Sequence, residues 1–173
     1  GLGEATVIGF FSDYSNLKGS CTLASGCTEA MASAMLGLVN PGDEVILFEP
    51  YYDSYRASIA MASGVPKFVT LRADPTRGVG GGFGFDEQEL RRAFTPRTKL
   101  ILVNTPHNPT GKVFSSEELS LIASLCQKHG VFAITDEVYE CLTYNTDEPH
   151  VRLATLPGME DRTLTLSSLG KSF

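Results

Sequence analysis

Four short stretches combine residue types that do chemistry with small residues and prolines that make sharp turns. The first is Ser25-Gly26-Cys27-Thr28-Glu29-Ala30, placed where a helix should begin. Backbone N–H groups and the helix dipole make such an end an anion site. Thr28 adds a hydroxyl donor. Cys27 could be a reactive thiol of lowered pKa or could simply offer its backbone N–H. An ordinary helix N-cap has the same residues. The second is Asn104-Thr105-Pro106-His107-Asn108-Pro109-Thr110-Gly111-Lys112, whose prolines and glycine fix a rigid turn. It would present Asn108 as a side-chain donor, and His107 could titrate near neutral pH. A plain proline-rich loop is the alternative. The third, Thr135-Asp136-Glu137-Val138-Tyr139, puts an acid at the end of an apolar run. A buried acid is costly unless paired; a protonated pyridine nitrogen or a helix N-terminus would suit it. Tyr139 would lie one helical turn on, on the same side. The fourth, Leu166-Ser167-Ser168-Leu169-Gly170-Lys171-Ser172-Phe173, is a small-residue loop able to deliver the Lys171 amine into a crevice. By itself it reads first as a solvated surface lysine.

These stretches need elements to position them. Short apolar runs alternate with helical patterns from Cys21 onward, which predicts an α/β domain with a largely parallel sheet. Ala30, Met31, Ala34, Met35 and Leu38 give a helix over residues 28–38 one apolar face. Strands are predicted over 45–48, 67–71, 99–104, 131–135 and 162–166. Helices are predicted over 51–63, from Asp86 with Glu89 as its cap partner, and from the Ser115/Glu118 capping box to His129, with Gly130 as C-cap. The glycine-rich run 78–84 lacks dinucleotide-binding spacing and reads as a surface loop. Residues 167–173 read as a loop after the last strand. Each chemical stretch then follows a strand, and in open α/β sheets the ligand crevice forms at the strands' carboxyl ends.

Composition narrows the classes. Of 173 residues, 42% are hydrophobic and 20% charged, which is globular rather than disordered. The formal net charge is −6, and no basic cluster suggests nucleic acid or a membrane surface. Cys21, Cys27, Cys126 and Cys141 form no CxxC pair and no metal-ligand spacing, so they read as free thiols and no metal is expected. That fits an intracellular, reducing setting, with cytoplasm and organelle not distinguished. No apolar run approaches the roughly 20 residues of a membrane span, and the first residues lack the basic region of a signal peptide.

Taken together, the four stretches and Glu49-Pro50-Tyr51-Tyr52-Asp53-Ser54-Tyr55 resemble the fold-type-I pyridoxal-phosphate aminotransferases. The likeness is greatest to the kynurenine/glutamine/methionine aminotransferase and cysteine-conjugate β-lyase branch, and it covers residues 22–173. The resemblance implies a three-layer α/β/α fold, the large domain of such enzymes, with pyridoxal 5′-phosphate (PLP) as cofactor. It implies that Lys171 forms the Schiff base and moves the substrate proton. Asp136 would pair with the pyridine nitrogen, and Tyr139 and Asn108 would hydrogen-bond the phenolic oxygen. Tyr52 would stack on the ring. Cys27, Thr28 and Ser168 would hold the phosphate, and Tyr55 would be a substrate-side aromatic. The implied partners are an amino acid and a 2-oxo acid, and the implied assembly of the full-length protein is a homodimer.

The resemblance also sets limits. On it, residues 21–173 are part of the PLP-binding large domain, residues 1–20 are unassigned, and the small domain is absent. In the family's sheet an antiparallel strand after the lysine lies between the first strand and the one ending near Leu166. Without it two strands would face an unfilled gap, each unpaired buried group costing about 1–3 kcal/mol. These residues are therefore expected to belong to a longer chain or to need something else in the gap. Three functions stay open: amino-group transfer, PLP-dependent carbon–sulfur β-elimination, and a truncated, non-catalytic remnant used in binding or assembly.

Overall fold

Val45, Ile46, Leu47 and Phe48 are buried in succession, which only a strand covered on both faces can achieve. Ile46 and Phe48 pack on one side, Val45 and Leu47 on the other. The chain is described by a computed structural model over residues 5–9, 21–76, 82–144 and 150–172. Its elements run β1 (Ala5–Gly9), β2 (Cys21–Ser25), α1 (Cys27–Leu38), β3 (Glu44–Glu49), α2 (Ser54–Met61), β4 (Val65–Thr70), β5 (Arg72–Asp74) and β6 (Gly82–Gly84). They continue with α3 (Glu87–Ala93), β7 (Thr98–Asn104), α4 (Ser116–His129), β8 (Phe132–Asp136), β9 (Thr163–Ser168) and α5 (Leu169–Ser172).

A seven-stranded sheet has the order β2-β1-β9-β8-β7-β3-β4. Helices α1 and α2 cover one face through Met31, Met35 and Ile59, while α3 and α4 cover the other through Leu90, Leu119, Ile122 and Cys126. This is the expected three-layer α/β/α arrangement. The alternation repeats in β7, where Ile101 and Val103 face the α4 side and Leu100 and Leu102 the α1 side. Among the described residues no helix is long and apolar enough to cross a membrane.

Local chemistry explains most boundaries. Ser115 accepts from the Glu118 N–H while the Glu118 carboxylate accepts from the Ser115 N–H at 3.0 Å, so the predicted capping box forms. Gly130 ends α4 at φ 66°, a left-handed conformation that glycine adopts without Cβ strain. Asp86 caps α3 by accepting from the Glu89 N–H at 2.8 Å.

Several expectations are corrected. Helix α2 starts at Ser54 rather than near residue 51, because residues 51–53 form a turn closed by the Tyr55 N–H on the Tyr52 carbonyl. Residues 78–81 lie outside the described residues, and Gly82–Gly84 is not loop but strand β6, paired antiparallel with β5. Ser167 and Ser168 extend β9, and the next residues turn into α5 instead of a loop. Tyr139 follows Asp136 in a turn, not in a helix. The gap beside β9 is filled as well: β1 lies in it, antiparallel to β2 on one side and to β9 on the other. A five-residue segment of the unassigned N-terminal stretch thus supplies ladder partners to β2 and to residues 165–168 of β9.

Candidate active site

Strands β3, β4, β7, β8 and β9 run parallel, and β2 shares their direction because β1 opposes both β2 and β9. Ser25, Asn104, Asp136 and Ser168, the last residues of β2, β7, β8 and β9, therefore reach one edge of the sheet. A cleft of about 350 Å³ opens there, and every residue expected to form the site lines it: Cys27, Thr28, Tyr52, Tyr55, Asn108, Asp136, Tyr139, Ser168 and Lys171. Residues up to 144 positions apart in sequence, 27 and 171, meet because the parallel crossovers return each strand end to the same place.

Asp136 forms the floor. It is only 5% exposed, and its carboxylate accepts from the Tyr55 hydroxyl at 2.6 Å and the Val138 N–H at 3.3 Å. Burial pushes its pKa up and Glu137 adds to the rise; the hydrogen bonds from Tyr55, Val138 and Cys27 oppose it without cancelling it. A buried carboxylate raised in this way suits a cationic partner that would restore its charge. Tyr55, expected as a substrate-side aromatic, lines the cleft but is largely buried, with its hydroxyl donated to Asp136 and its own pKa raised by burial and by that carboxylate. Tyr52 is half out in solvent, its ring edge-on to Tyr55 with centroids 5.8 Å apart.

The anion end is built by α1. Its cap residue Gly26 has φ 91°, a backbone strained for any L side chain, and no side chain caps the helix. Helices α3 and α4, by contrast, each spend a first-turn amide on a side-chain cap, Glu89 N–H on Asp86 and Glu118 N–H on Ser115; α2, like α1, has no such cap. The amides following Gly26 thus begin a helix at the cleft with its dipole's positive end toward it.

Cys27 is not an activated thiol. Burial and the Asp136 charge push its pKa well above the ordinary cysteine range. A thiol reagent at pH 8 should therefore label the exposed Cys141 and leave Cys27 and the buried Cys126 unmodified, as peptide mass mapping would read. Rapid labelling of Cys27 would show the thiol to be open and ionisable.

The Asn104–Lys112 turn carries a hub that sequence reasoning passed over. Asn104 donates from Nδ2 to the Asp136 carbonyl at 2.9 Å, while its Oδ1 accepts from the Asn108 N–H at 2.7 Å. One buried amide thus ties the acid-bearing strand end to the residue expected beside the phenolic oxygen. Asn104 opens the quoted motif, so its position was visible, but a strand's last residue gave no sign of its two partners. His107 does not titrate near neutrality. Burial and then Lys112 lower its pKa to about 4, and it stays neutral with Nδ1 2.8 Å from Thr110 Oγ1. Lys112 is itself buried against Glu118, Nζ to Oε2 2.7 Å, which joins the turn to the α4 cap.

Lys171 is exposed on α5, its Nζ 5.9 Å from the centre of the Tyr139 ring. The cleft therefore offers an accessible amine, a buried acid, phenol and amide donors between them, and an uncapped helix start. Those groups fit a flat ring bearing a basic nitrogen, an oxygen acceptor, a carbonyl and an anionic tail.

The model of the family described as aminotransferase class I and II matches residues 11–173. Kynurenine–oxoglutarate transaminase 3 of Mus musculus is 48% identical over 154 residues, covering 87% of this chain and 34% of that protein. Kynurenine–oxoglutarate transaminase 1 of Homo sapiens is 49% identical over 148 residues, covering 83% of this chain and 35% of that protein. Among solved structures, N-succinyldiaminopimelate aminotransferase of Mycobacterium tuberculosis superposes with a TM-score of 0.76 at 48% identity, over 82% of this chain and 35% of that one. YbdL of Escherichia coli, to which a methionine aminotransferase function is ascribed, gives 0.76 at 35% identity, over 86% of this chain and 37% of that one. The chain spans about a third of the length of the curated relatives it matches.

Proposed function

This chain belongs to the class I and II aminotransferases, and from that premise we propose that its cleft binds PLP and transfers an amino group between an amino acid and a 2-oxo acid. The observation that carries the reading is the meeting of Lys171, Asp136, Tyr139, Asn108 and the uncapped start of α1 in one cleft. Residues 21–173 then form part of the cofactor-binding large domain, and the full-length enzyme is a homodimer.

When bound, PLP supplies an aldehyde for amine exchange and a protonated ring that withdraws electrons from the substrate α-carbon. Asp136 holds the ring nitrogen in its protonated form, the cationic partner its own burial calls for. Asn108 and Tyr139 donate to the phenolic oxygen. The amides of Cys27 and Thr28, with Ser168, hold the phosphate. Tyr52, exposed at the rim, covers one ring face. Lys171 Nζ would be the amine that holds the cofactor's aldehyde carbon, and would also be the base that moves the substrate α-proton.

PLP titration tests the reading. A near-visible absorbance band should appear with the wild-type chain and be lost on Lys171→Ala. The relatives' names make kynurenine with 2-oxoglutarate the first pair to assay. A new amino acid formed from the oxo acid supports transfer, whereas pyruvate and a thiol from a cysteine conjugate would replace it with β-elimination. No band in the wild-type chain would overturn cofactor binding by these residues.

A further inference from the structure

Asn104 ends β7 only 2% exposed, with both ends of its amide committed to backbone partners. Between residues 105 and 109 the chain has three backbone N–H groups, because Pro106 and Pro109 have none. The Thr105 N–H goes to the Asp136 carbonyl at 3.1 Å and the His107 N–H to the Lys112 carbonyl at 2.8 Å. Both bonds are backbone to backbone and depend on no side chain. The third, from the Asn108 N–H, goes to Asn104 Oδ1 at 2.7 Å, so one side chain holds it. Asn104 can accept there only with its amide the right way round, and the Nδ2 bond to the Asp136 carbonyl fixes that orientation. The two partners depend on Asn104 unequally. The Asp136 carbonyl also accepts from Thr105, whereas the Asn108 N–H has Asn104 alone among the described residues. Truncation at position 104 therefore falls on Asn108. The Asn108 side chain lines the cleft and makes no hydrogen bond to a described residue, which leaves it open to a ligand.

We propose that Asn104 is a positioning residue of the site, which anchors the Asn108 backbone and so holds the Asn108 side chain ready for a ligand's oxygen acceptor. It acts through Asn108, since its own amide is turned to protein backbone at both ends. Residues 105–109 keep their other two bonds without it, so the loss is confined to the one donor that meets the ligand. The part concerning PLP rests on the function proposed above; the anchoring of Asn108 does not.

Amide exchange read by NMR in the cofactor-free chain measures the anchor, and the pH midpoint of the near-visible PLP band measures its consequence. In the wild type the Asn108 N–H should exchange slowly. Asn104→Ala should speed it by about tenfold or more while Thr105 and His107 stay protected. Donors at the phenolic oxygen stabilise its anionic form and loosen its hold on the Schiff-base proton. Asn104→Ala should therefore raise the band's midpoint by about one pH unit, a tenfold change. Asn108→Ala should raise it at least as far, and Asn104→Ala added to Asn108→Ala should move it no further. Damage unrelated to Asn108 would add instead. Additive shifts, a midpoint unmoved by Asn104→Ala, or a rapidly exchanging Asn108 N–H in the wild type would overturn the proposal. Should Asn104→Ala fail to fold, Asn104→Thr keeps a hydroxyl acceptor on a residue suited to a strand. Its midpoint shift should follow its loss of Asn108 protection, and either one without the other sinks the idea. A wild-type chain with no near-visible band removes the cofactor reading; an Asn108 N–H released by Asn104→Ala then leaves the anchor standing.

Discussion

Asp136→Asn is expected to slow amino-group transfer by about 10²–10³-fold, the usual loss when a preorganised electrostatic partner is removed, and to make the cofactor-free protein melt higher at neutral pH. The two effects have one cause. Asp136 is 5% exposed, and burial raises its pKa above the ordinary aspartate value. For a carboxyl raised by folding, the stabilisation is fully present below the unfolded value of about 3.9 and is lost as pH rises through the folded value. Above the unfolded value the wild-type protein is destabilised by keeping an acid where its charged form is poorly solvated, whereas asparagine keeps an oxygen for the Tyr55 hydroxyl and has no charge to lose. The melting difference should therefore shrink as pH falls toward 4, and scanning calorimetry across pH 4–8 would follow it. A variant that melts below the wild type at every pH would show that the carboxylate is a structural anchor rather than a group held ionised for a ligand.

Glu137→Ala should cost about 3 kcal/mol in urea denaturation, near the lower end of the 3–5 kcal/mol typical of breaking a buried ion pair. Glu137 is fully buried, with Oε2 3.0 Å from His150 Nε2 and 3.6 Å from the Arg152 guanidinium. Arg152 also reaches Glu140 at 2.5 Å, and its partial exposure keeps the expected loss at the low end. Glu137, Glu140 and His150 present ligand atoms within 4.8 Å of one another, but the guanidinium paired to both acids supplies the positive charge there. The cluster lies directly behind the site. Glu137 adjoins Asp136, and its N–H is donated to the Leu166 carbonyl at 2.8 Å, tying the acid's turn to β9. Weaker PLP binding should accompany the lost stability. A change below about 1 kcal/mol, within the range of exposed pairs, would show that the cluster adds no net stability.

The Ser115/Glu118 box and Gly130 were readable because caps are local, made within one turn of helix. Asp136, Lys171 and Asn108 were readable as a set, since each follows an apolar run and strand ends gather at one edge of a parallel sheet. The bond from Tyr55 to Asp136 was not readable, because helical spacing tells which residues share a face, not that a hydroxyl will meet a carboxylate 81 residues away. His107 was misjudged for a similar reason: its low pKa comes from burial and from Lys112, and burial is a property of the packed turn.

The sequence by itself determined the alternation of strands and helices, the caps that bound them and the identity of the groups available to a ligand. Those follow from periodicity and from chemistry within a few residues. Only the tertiary structure decided that Asp136 would be buried against Tyr55, that Asn104 would join two strand ends, and that residues 5–9 would enter the sheet beside β9. Each of these depends on which distant backbone comes to lie alongside, and strand pairing over long separations leaves no periodic mark in the chain. The backbone's need for hydrogen-bond partners forecast that something must fill that gap; which segment did so was a matter of three-dimensional fit.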